Sequence, residues 1–471
     1  MFKLVNQCNK PLNRDLFITV AGNVGAGKST LTKLVAERLG FEAHYEKVDG
    51  NPYLEDFYKD QEKWGFHLQL YFLAQRFKQQ KEIDSNGLNN IQDRSIYEDV
   101  EIFARNLYDN EKMTKRDYIT YRDLFNDIRA AKSFIHIEYY IFRYDDLGRA
   151  LIKELHEKTK DGVEVRLVID GMGSKRITKK IIKEIESYGI KMAVFFPGVL
   201  PHINTRINYR NHRKIVVIDG KIGYVGGFNV GNEYVNKGKQ FKFWRDTHIR
   251  VKGEAVNELN KRFILDWDYA ADENMGNMSM YFPVPEVVGN VGMQIVSSGP
   301  DHMEEYIKNS YMKIINNAKN YVYIQTPYLV PDSPMMEALK ISALSGVDVR
   351  IIVPGAPDHF FMEWMLSANI GLLIEYGIKI YRYGNGFIHS KTIVADGEVC
   401  SIGTANLDIR SFKLNFEVNA FIYNETVAKE QRKNILDDQL KSKLVTKEEY
   451  YKRSRNLKIK ESLIRLLSPI L

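Results

Sequence analysis

Two segments of the chain place a histidine, a lysine and an aspartate at the same spacing. NHRKIVVIDG spans residues 211–220 and IHSKTIVADG spans residues 388–397, and each fits the pattern H-x-K-x-x-x-x-D. Small residues and an asparagine follow, as GGFN after the first copy and GTAN after the second. Imidazole can attack phosphorus or move a proton, while ammonium and carboxamide groups bind phosphate oxygens. The duplication therefore predicts one phosphodiester site assembled from two half-sites.

The candidate catalytic residues are His212, Lys214, Asp219, His389, Lys391 and Asp396, and the candidate phosphate-binding amides are Asn229 and Asn406. Alternation along a strand points residues two apart to the same side of a sheet, so the histidine and lysine of each copy share one face. A metal site competes with this interpretation, because histidine is the commonest metal ligand. The lysines would repel a cation and no ligand cluster completes a coordination shell, so we expect no metal here.

The segments around the two motifs also repeat in the same order, which indicates an internal duplication. The matching pairs are SFIHIEYYIF (133–142) with NYVYIQTPYL (320–329), DGVEVRLVID (161–170) with SGVDVRIIVP (345–354), and YGIKMAVFFP (188–197) with YGIKIYRYGN (376–385). Short β-branched runs alternate with helix-like segments such as LGRALIKELHEKT and ITKKIIKEIESYG. This alternation predicts two α/β halves that form a sandwich with largely buried sheets.

A third motif lies near the amino terminus, where a strand-like run, LFITVA, precedes GNVGAGKST and the helix-like LTKLVAERLG. The loop fits G-x-x-x-x-G-K-[ST], in which backbone N–H groups surround phosphates, the lysine neutralises them and the hydroxyl reaches Mg²⁺. Its candidate ATP-binding residues are Gly22, Gly25, Gly27, Lys28, Ser29 and Thr30. The order of strand, loop and helix predicts the start of a doubly wound parallel sheet.

Composition and length limit the class of protein. A chain of 471 residues has room for two or three domains, and 44% hydrophobic with 27% charged residues excludes a disordered protein. Cys8 and Cys400 are too few for a disulfide framework and favour a reducing compartment. We find neither a signal peptide nor an apolar run of about 18 residues, so we expect no helix that spans a membrane.

The positive charge is concentrated in the second part of the chain. Residues 1–127 carry 18 Lys and Arg against 20 Asp and Glu, or −2, which leaves +9 for residues 128–471 out of the total of +7. Such a surface suits nucleic acid or a membrane rich in acidic lipid. No tract of Lys and Arg alternates with aromatic residues as a nucleic-acid groove would prefer, so we expect a membrane surface.

The first segment resembles the deoxynucleoside kinases over roughly residues 14–127, through the glycine loop, AHYEKV, NPYLEDFY, WGFHLQLYFLAQR and DRSIYED. The resemblance implies ATP with Mg²⁺, and it implies nucleoside-site roles for Glu46 (base toward the sugar hydroxyl), Arg94 (transferring phosphate), Gln69 and Asp99 (nucleobase), Arg76 (beside the nucleobase) and Tyr58 (sugar). The last strands and the arginine-rich lid of that family are missing. Because phosphoryl transfer needs that positive charge, we expect impaired kinase activity and at most weak nucleotide binding.

The second segment resembles the phospholipase D superfamily, whose two motifs match residues 211–234 and 387–411. Within it, RINYRNHRKIVVIDG, FWRDTHIRVKG, QTPYLVPD and ALSGVDVRIIVPG resemble bacterial cardiolipin synthases from about residue 125 to Leu471. The resemblance implies transfer of a phosphatidyl group between two phosphatidylglycerol molecules, through a phosphatidyl-histidine and without a cofactor. It implies His212 as nucleophile and His389 as acid and base.

Around the histidines, the resemblance implies carboxylates that orient the rings, and Asp246 and Glu417 are the candidates. Asp219 and Asp396 complete the motifs and are expected to brace loops rather than touch substrate. A phospholipase D-type hydrolase or nuclease, and a deoxynucleoside kinase, remain the alternative functions.

The resemblance changes family inside LFNDIRAAKS, which predicts a kinase-like segment over residues 1–127 and phospholipase D-like halves over 128–288 and 289–471. Synthases of this kind usually begin with two membrane-spanning helices, and the kinase-like segment stands in their place. We therefore expect peripheral contact with the cytoplasmic side of the cell membrane, through the basic surface. The terminal ESLIRLLSPIL either adds to that contact or packs on the second half.

Overall fold

The computed structural model describes residues 17–20, 27–45, 83, 88–93, 115–197, 208–238, 240–241, 243–275, 278–358 and 360–454. The chain divides into two compact units, Met1–Asn110 and Glu111–Leu471. The first unit contains the glycine motif, and the second contains both histidine motifs.

The described part of the first unit is a small parallel sheet with one helix. Its elements are β1 (Phe17–Val20), α1 (Lys28–Leu39), β2 (Glu42–His44) and β3 (Asn90–Asp93), with the strands in the order β1-β3-β2. Gly27 and Gly40 cap the two ends of α1 in the left-handed conformation, with φ of 76° and 70°, which glycine adopts without steric cost. The predicted strand and helix are thus present, while residues 21–26 of the predicted glycine loop lie outside the described residues.

The face of α1 that packs on this sheet is narrow. Ala36 is buried with Val20 and Ile91. Three leucines of the helix are more than half exposed: Leu31, Leu34 and Leu39. Apolar side chains of α1 are therefore exposed among the described residues of this unit.

The first half of the second unit is an α/β layer with one mixed sheet. Its elements are α2 (Lys115–Ala130), β4 (Phe134–Tyr139), α3 (Asp146–Lys160), β5 (Glu164–Asp170), α4 (Lys179–Ser187), β6 (Lys191–Phe195), β7 (Arg210–Asn211), β8 (Lys214–Ile218), β9 (Ile222–Gly226), β10 (Trp244–Arg245), β11 (His248–Lys252) and α5 (Ala255–Ala271). The sheet order is β11-β9-β8-β4-β5-β6, parallel from β4 to β6 and antiparallel elsewhere. Buried apolar residues on both faces of β4, β5 and β8 explain why both faces of the sheet are covered.

The second half repeats this topology. Its elements are β12 (Gly292–Ser298), α6 (Tyr306–Asn317), β13 (Tyr321–Gln325), β14 (Leu329–Val330), α7 (Ser333–Leu344), β15 (Asp348–Pro354), α8 (Phe360–Ile374), β16 (Lys379–Tyr383), β17 (Phe387–Ile388), β18 (Thr392–Ala395), β19 (Val399–Gly403), β20 (Leu407–Asp408), α9 (Ile409–Lys413), β21 (Asn415–Tyr423), α10 (Glu425–Leu440), β22 (Ser442–Leu444) and α11 (Lys447–Tyr451). Its sheet runs β12-β21-β19-β18-β13-β15-β16-β22. From β21 to β16 the order and strand directions match those from β11 to β6, which confirms the predicted duplication.

The two halves share one apolar core. A single cluster of buried side chains includes Val225, Phe263 and Trp267 from the first half and Val394 and Val418 from the second. Burial of a large aliphatic or aromatic side chain contributes about 1.5–3 kcal/mol. The halves are therefore packed as one body rather than joined as separate domains.

Helix α2 joins the first half although the predicted boundary at residues 127 and 128 falls inside it. The ring of Tyr121 stacks on Phe228 with centroids 5.1 Å apart. Asp127 accepts hydrogen bonds from Arg250, with Nε at 2.6 Å, and Ile128 is fully buried. Residues on both sides of that boundary thus pack on the phospholipase D-like half.

Candidate active site

The two histidines enter the site on strands that pair across the halves. β7 pairs in parallel with the start of β21, and β10 pairs in parallel with β17. The backbone N–H of His212 donates to the carbonyl of Phe416 at 2.9 Å, and that of His389 donates to Arg245 at 2.7 Å. Each histidine strand therefore runs beside a strand of the other half that carries a carboxylate.

Each histidine is held by the carboxylate of the opposite half. His212 Nδ1 lies 2.9 Å from Glu417 Oε2, and His389 Nδ1 lies 2.6 Å from Asp246 Oδ2. An ionised carboxylate only accepts hydrogen bonds, so Nδ1 carries the proton and Nε2 keeps its lone pair for substrate. The structure brings both predicted carboxylates to the histidines and makes the pairing crosswise.

Burial sets the charge state of the two imidazoles. It lowers the pKa of His212 to about 4 against the opposing effect of Glu417, and it lowers the pKa of His389 to about 3, with Lys391 adding to the shift. Burial opposes ionisation of Asp246 as well, but His389 beside it keeps the pKa of that carboxyl below its ordinary value. At neutral pH both rings are therefore neutral in the free enzyme, which is the form that acts as a nucleophile or base.

The two lysines are buried beside the histidines and act across the halves. Lys214 Nζ donates to the carbonyl of His212 at 2.7 Å, and Lys391 Nζ donates to that of His389 at 2.5 Å. Burial lowers the pKa of Lys214 to about 7 and that of Lys391 to about 8. Lys391 also lowers the pKa of His212, and Lys214 that of His389, so the motifs converge on one site.

The two asparagines occupy equivalent loops behind the motifs. Asn229 is buried, its Oδ1 accepts from the backbone N–H of Ile141 at 3.2 Å, and its side chain also hydrogen-bonds Tyr234. Asn406 is buried too, and its Oδ1 has no hydrogen-bond partner among the described residues. This oxygen accepts hydrogen bonds, so a phosphate would have to bind the Nδ2–H groups of Asn406, which also hydrogen-bond Asp408.

The aspartates of the two motifs lie at the other ends of their strands. Asp219 accepts from the backbone N–H groups of residues 132–134, and Asp396 accepts from those of residues 319–321, at 2.7–3.0 Å. Both have positive φ, 53° and 52°. The motif groups them with the catalytic residues, but their carboxylates brace the turns that precede β4 and β13.

Several groups that contact the histidine pairs escape sequence reasoning. Thr404 Oγ1 donates to Glu417 Oε2 at 2.5 Å. The ring of Tyr140 meets His212 edge-on at 4.7 Å, and the ring of Trp244 lies 5.2 Å from His389. Thr404 stands inside the predicted GTAN segment and Trp244 precedes the predicted Asp246, but only the pairing of strands shows which histidine each supports.

The described part of the kinase-like segment contains one further polar contact. Ser29 Oγ donates to Asp93 Oδ2, at the carboxyl end of the central strand β3. Hydroxyl and carboxylate oxygens are the ligands that Mg²⁺ prefers, so this pair fits a magnesium-bound nucleotide. Gly27, Lys28 and Thr30 lie beside it at the start of α1. The other predicted residues of this segment lie outside the described residues: Gly22, Gly25, Glu46, Tyr58, Gln69, Arg76, Arg94 and Asp99.

Among the described residues, no helix combines the length and the apolar character that crossing a bilayer requires. The same residues hold no group of three or more His, Cys, Asp or Glu side chains arranged to bind a metal ion.

The duplicated α/β sandwich and the paired H-x-K motifs define a protein of the phospholipase D-like class. The family model described as cardiolipin synthase, PLD-like domain, matches residues 124–267 and 311–438. Cardiolipin synthase 2 of Staphylococcus epidermidis is 53% identical over 350 residues, 74% of this chain and 72% of the relative. The major cardiolipin synthase ClsA of Bacillus subtilis is 51% identical over 352 residues, 74% of this chain and 73% of the relative. The chain belongs to this cardiolipin synthase family.

Two other comparisons concern the fold and the first segment. The crystal structure of phosphatidylserine synthase from Haemophilus influenzae aligns with a TM-score of 0.57 at 16% identity, over 74% of this chain and 90% of that one. It shows the same fold. The deoxynucleoside kinase family model matches residues 18–150, so the first segment is similar to that family as predicted.

Proposed function

We propose that this chain is a phosphatidyltransferase that makes cardiolipin and glycerol from two molecules of phosphatidylglycerol. The observation that carries the proposal is the pair of reciprocal histidine–carboxylate contacts, which gives one site two imidazoles with free Nε2 atoms. The names of the relatives, at 51–53% identity over 74% of the chain, favour this activity over a hydrolase, a nuclease or a nucleoside kinase.

In the first half-reaction one histidine attacks and the other acts as acid. His212 Nε2 forms a bond to the phosphorus of the first phosphatidylglycerol, and the bond from phosphorus to the glycerol headgroup oxygen breaks. His389 gives a proton to that oxygen, so glycerol leaves uncharged. The free His389 is neutral, and the approach of an anionic phosphate raises its affinity for this proton.

In the second half-reaction the roles reverse around the same phosphorus. His389 takes the proton from a headgroup hydroxyl of the second phosphatidylglycerol, and that oxygen forms a bond to phosphorus as the bond to His212 breaks. Glu417 stabilises the positive charge that His212 carries in the covalent intermediate. No cofactor takes part, because the transferred group moves from one phosphodiester to another.

The lysines and asparagines of the two motifs stabilise the reacting phosphate. Lys214 and Lys391 are almost fully buried, where charges interact more strongly than in water. They stabilise the extra negative charge on the equatorial oxygens of the pentacoordinate transition state. Asn229 and Asn406 add neutral donors from the two equivalent loops.

We propose that the protein contacts the membrane that holds its substrate through a basic segment, residues 172–183 (MGSKRITKKIIK). This segment precedes α4 and includes its first residues. Its cations are all exposed: Lys175, Arg176, Lys179, Lys180 and Lys183. The first turn of α4 has no acidic residue, and cations at a helix amino terminus oppose the helix dipole. Attraction to an anionic membrane surface offsets that cost, because it contributes about 1 kcal/mol for each Lys or Arg near the surface.

The basic segment is tied to the catalytic strand. Asp170 Oδ1 accepts from the backbone N–H groups of Met172 and Gly173, while its Oδ2 accepts from the N–H of Asn211 at 2.8 Å. Asn211 precedes His212, so one carboxylate joins the segment to the site. Contact with anionic lipid at the basic segment would bring headgroups to the histidines, with the chain peripheral on the cytoplasmic face.

The decisive assay uses the purified protein with phosphatidylglycerol in mixed micelles and measures cardiolipin and released glycerol by mass spectrometry. We expect equal amounts of both products, and their loss in His212→Ala and His389→Ala. Absence of cardiolipin with the natural protein, or full activity in either variant, would contradict the proposal. Weak ATP binding by the Ser29 and Asp93 pair, without nucleoside phosphorylation, is the corresponding expectation for the first segment.

A further inference from the structure

The groups proposed to hold the reacting phosphate are repeated in both halves, but two arginines near them are not. Arg210 stands two residues before His212, where the second half has Phe387 before His389. Arg410 stands four residues after Asn406, where the first half has Glu233 after Asn229. A site built by duplication has thus become basic on one side only.

The backbone brings both arginines to the same place. Arg210 lies on β7, and alternation along the strand points it to the same side as His212. Arg410 lies on α9 of the other half, and its Nη2 donates to the carbonyl of Asn208 at 2.9 Å. Arg210 Nη1 donates to the adjacent carbonyl of Tyr209 at 2.7 Å. Both guanidinium groups therefore flank residues 208–210, at the entrance of the strand that carries His212.

The pair stands between the buried site and solvent. His212 is only 7% exposed, whereas Arg210 and Arg410 are both half-buried. Both arginines oppose the effect of burial on the pKa of Tyr140, whose ring lies against His212. Burial lowers the pKa of Arg410, Asp408 opposes that effect, and Arg210 lowers the pKa further, so the two cations lie close enough to repel each other.

The equivalent positions on the other side have the opposite character. Glu233 carries a negative charge and lies 3.7 Å from Arg143, and Phe387 packs on Trp244 with ring centroids 4.8 Å apart. Neither could hold an anion. The asymmetry supplies what the duplicated residues lack, namely a means to treat two chemically identical substrates differently.

We propose that Arg210 and Arg410 together bind the phosphate of the second phospholipid, the one whose hydroxyl accepts the phosphatidyl group. The inference rests on the proposed function, which brings two anionic phosphodiesters into one site. The lysines neutralise the phosphate that reacts and the asparagines add neutral donors to it, so the second phosphate, one glycerol unit away, needs its own cations. Guanidinium groups bind phosphate through paired N–H donors, so two of them from different elements fix its position.

The test measures which acceptor takes the phosphatidyl group, the hydroxyl of a second lipid or a water molecule. Arg210→Gln and Arg410→Gln are assayed with short-chain phosphatidylglycerol, and cardiolipin, phosphatidic acid and glycerol are quantified together. We expect the ratio of cardiolipin to phosphatidic acid to fall at least about tenfold in each variant, as expected for loss of one charged hydrogen bond. Glycerol release changes less, because the first half-reaction keeps its own phosphate ligands. Glu233→Gln, at the equivalent position of the other half, is the matched control and keeps the natural ratio.

Each alternative result has a definite meaning. Equal loss of all products in the arginine variants, or an unchanged product ratio, overturns the inference while the proposed function stands. No cardiolipin from the natural protein overturns both. If a glutamine variant does not fold, Arg410→Lys carries the test: it keeps the charge without the paired donors, and an intermediate product ratio supports the inference, whereas the natural ratio refutes it.

Discussion

Glu417→Gln keeps the size of a fully buried side chain and removes its negative charge. The carboxylate holds His212 Nδ1 at 2.9 Å and opposes the effect of burial on the pKa of that ring. When His212 bonds to phosphorus the ring becomes cationic, and the glutamine no longer offsets that charge. Breaking a buried ion pair costs about 3–5 kcal/mol. We expect a loss of roughly 3 kcal/mol of transition-state stabilisation, or about 150-fold in kcat.

The assay is steady-state cardiolipin formation in micelles, with an alkaline detergent quench to trap the phosphatidyl-enzyme, because a phosphorus–nitrogen bond to histidine is labile in acid. The loss should fall on kcat with little change in KM, because the carboxylate touches the histidine rather than the lipid. The covalent intermediate should disappear from the quenched sample, while the melting temperature shows that the variant is folded. A folded variant with kcat within about threefold of the natural protein would refute the charge argument.

Three further outcomes follow from the same structure. In the free enzyme Lys214 and Lys391 lose their charge near pH 7 and pH 8, so a pH profile of kcat/KM should fall above about pH 8 as phosphate binding weakens; a flat profile to pH 9.5 would contradict this. Asp396→Ala removes three hydrogen bonds to backbone N–H groups. Differential scanning calorimetry should therefore show a free energy of unfolding lower by about 2–3 kcal/mol, while kcat per folded molecule stays unchanged. A selective loss of kcat would instead indicate a catalytic role. Reversing three charges of the basic segment should weaken binding to phosphatidylglycerol vesicles by at least about 100-fold and spare turnover of monomeric short-chain lipid. The same reversal of Lys429 and Lys433 on α10 and of Lys441, which follows α10, should leave vesicle binding unchanged. Equal effects of the two reversals would refute the docking surface.

Much of the second unit follows from its sequence because the information there is duplicated. The repeat predicts the matching sheets, and period-two alternation places each histidine with its lysine. Because both copies are followed by an asparagine at the same distance, the two histidines can be recognised as functional residues rather than as histidines that merely lie in strands. These features are local or repeated, so they can be read without knowing which strands meet.

Which carboxylate pairs with which histidine could not be predicted from the sequence. His212 and Glu417 are brought together by the pairing of β7 with β21, which depends on how the two halves dock. Residue types and spacing allow Asp246 to serve either histidine, and only the packing of the shared core decides between them. The exposure of the α1 leucines has the same origin: periodicity predicts the helix, whereas burial depends on elements elsewhere in the fold.

The crosswise partnership also fixes when the protein becomes chemically competent during its synthesis. The imidazole of His212 leaves the ribosome about 200 residues before the carboxylate that orients it, and the strand that carries this carboxylate, β21, is inserted between β12 and β19. A chain released before Glu417 is made has His212 without the carboxylate that fixes its tautomer. Such a chain lacks the contact that prepares His212 as a nucleophile, so the complete site forms only when β21, the last long strand, is in place.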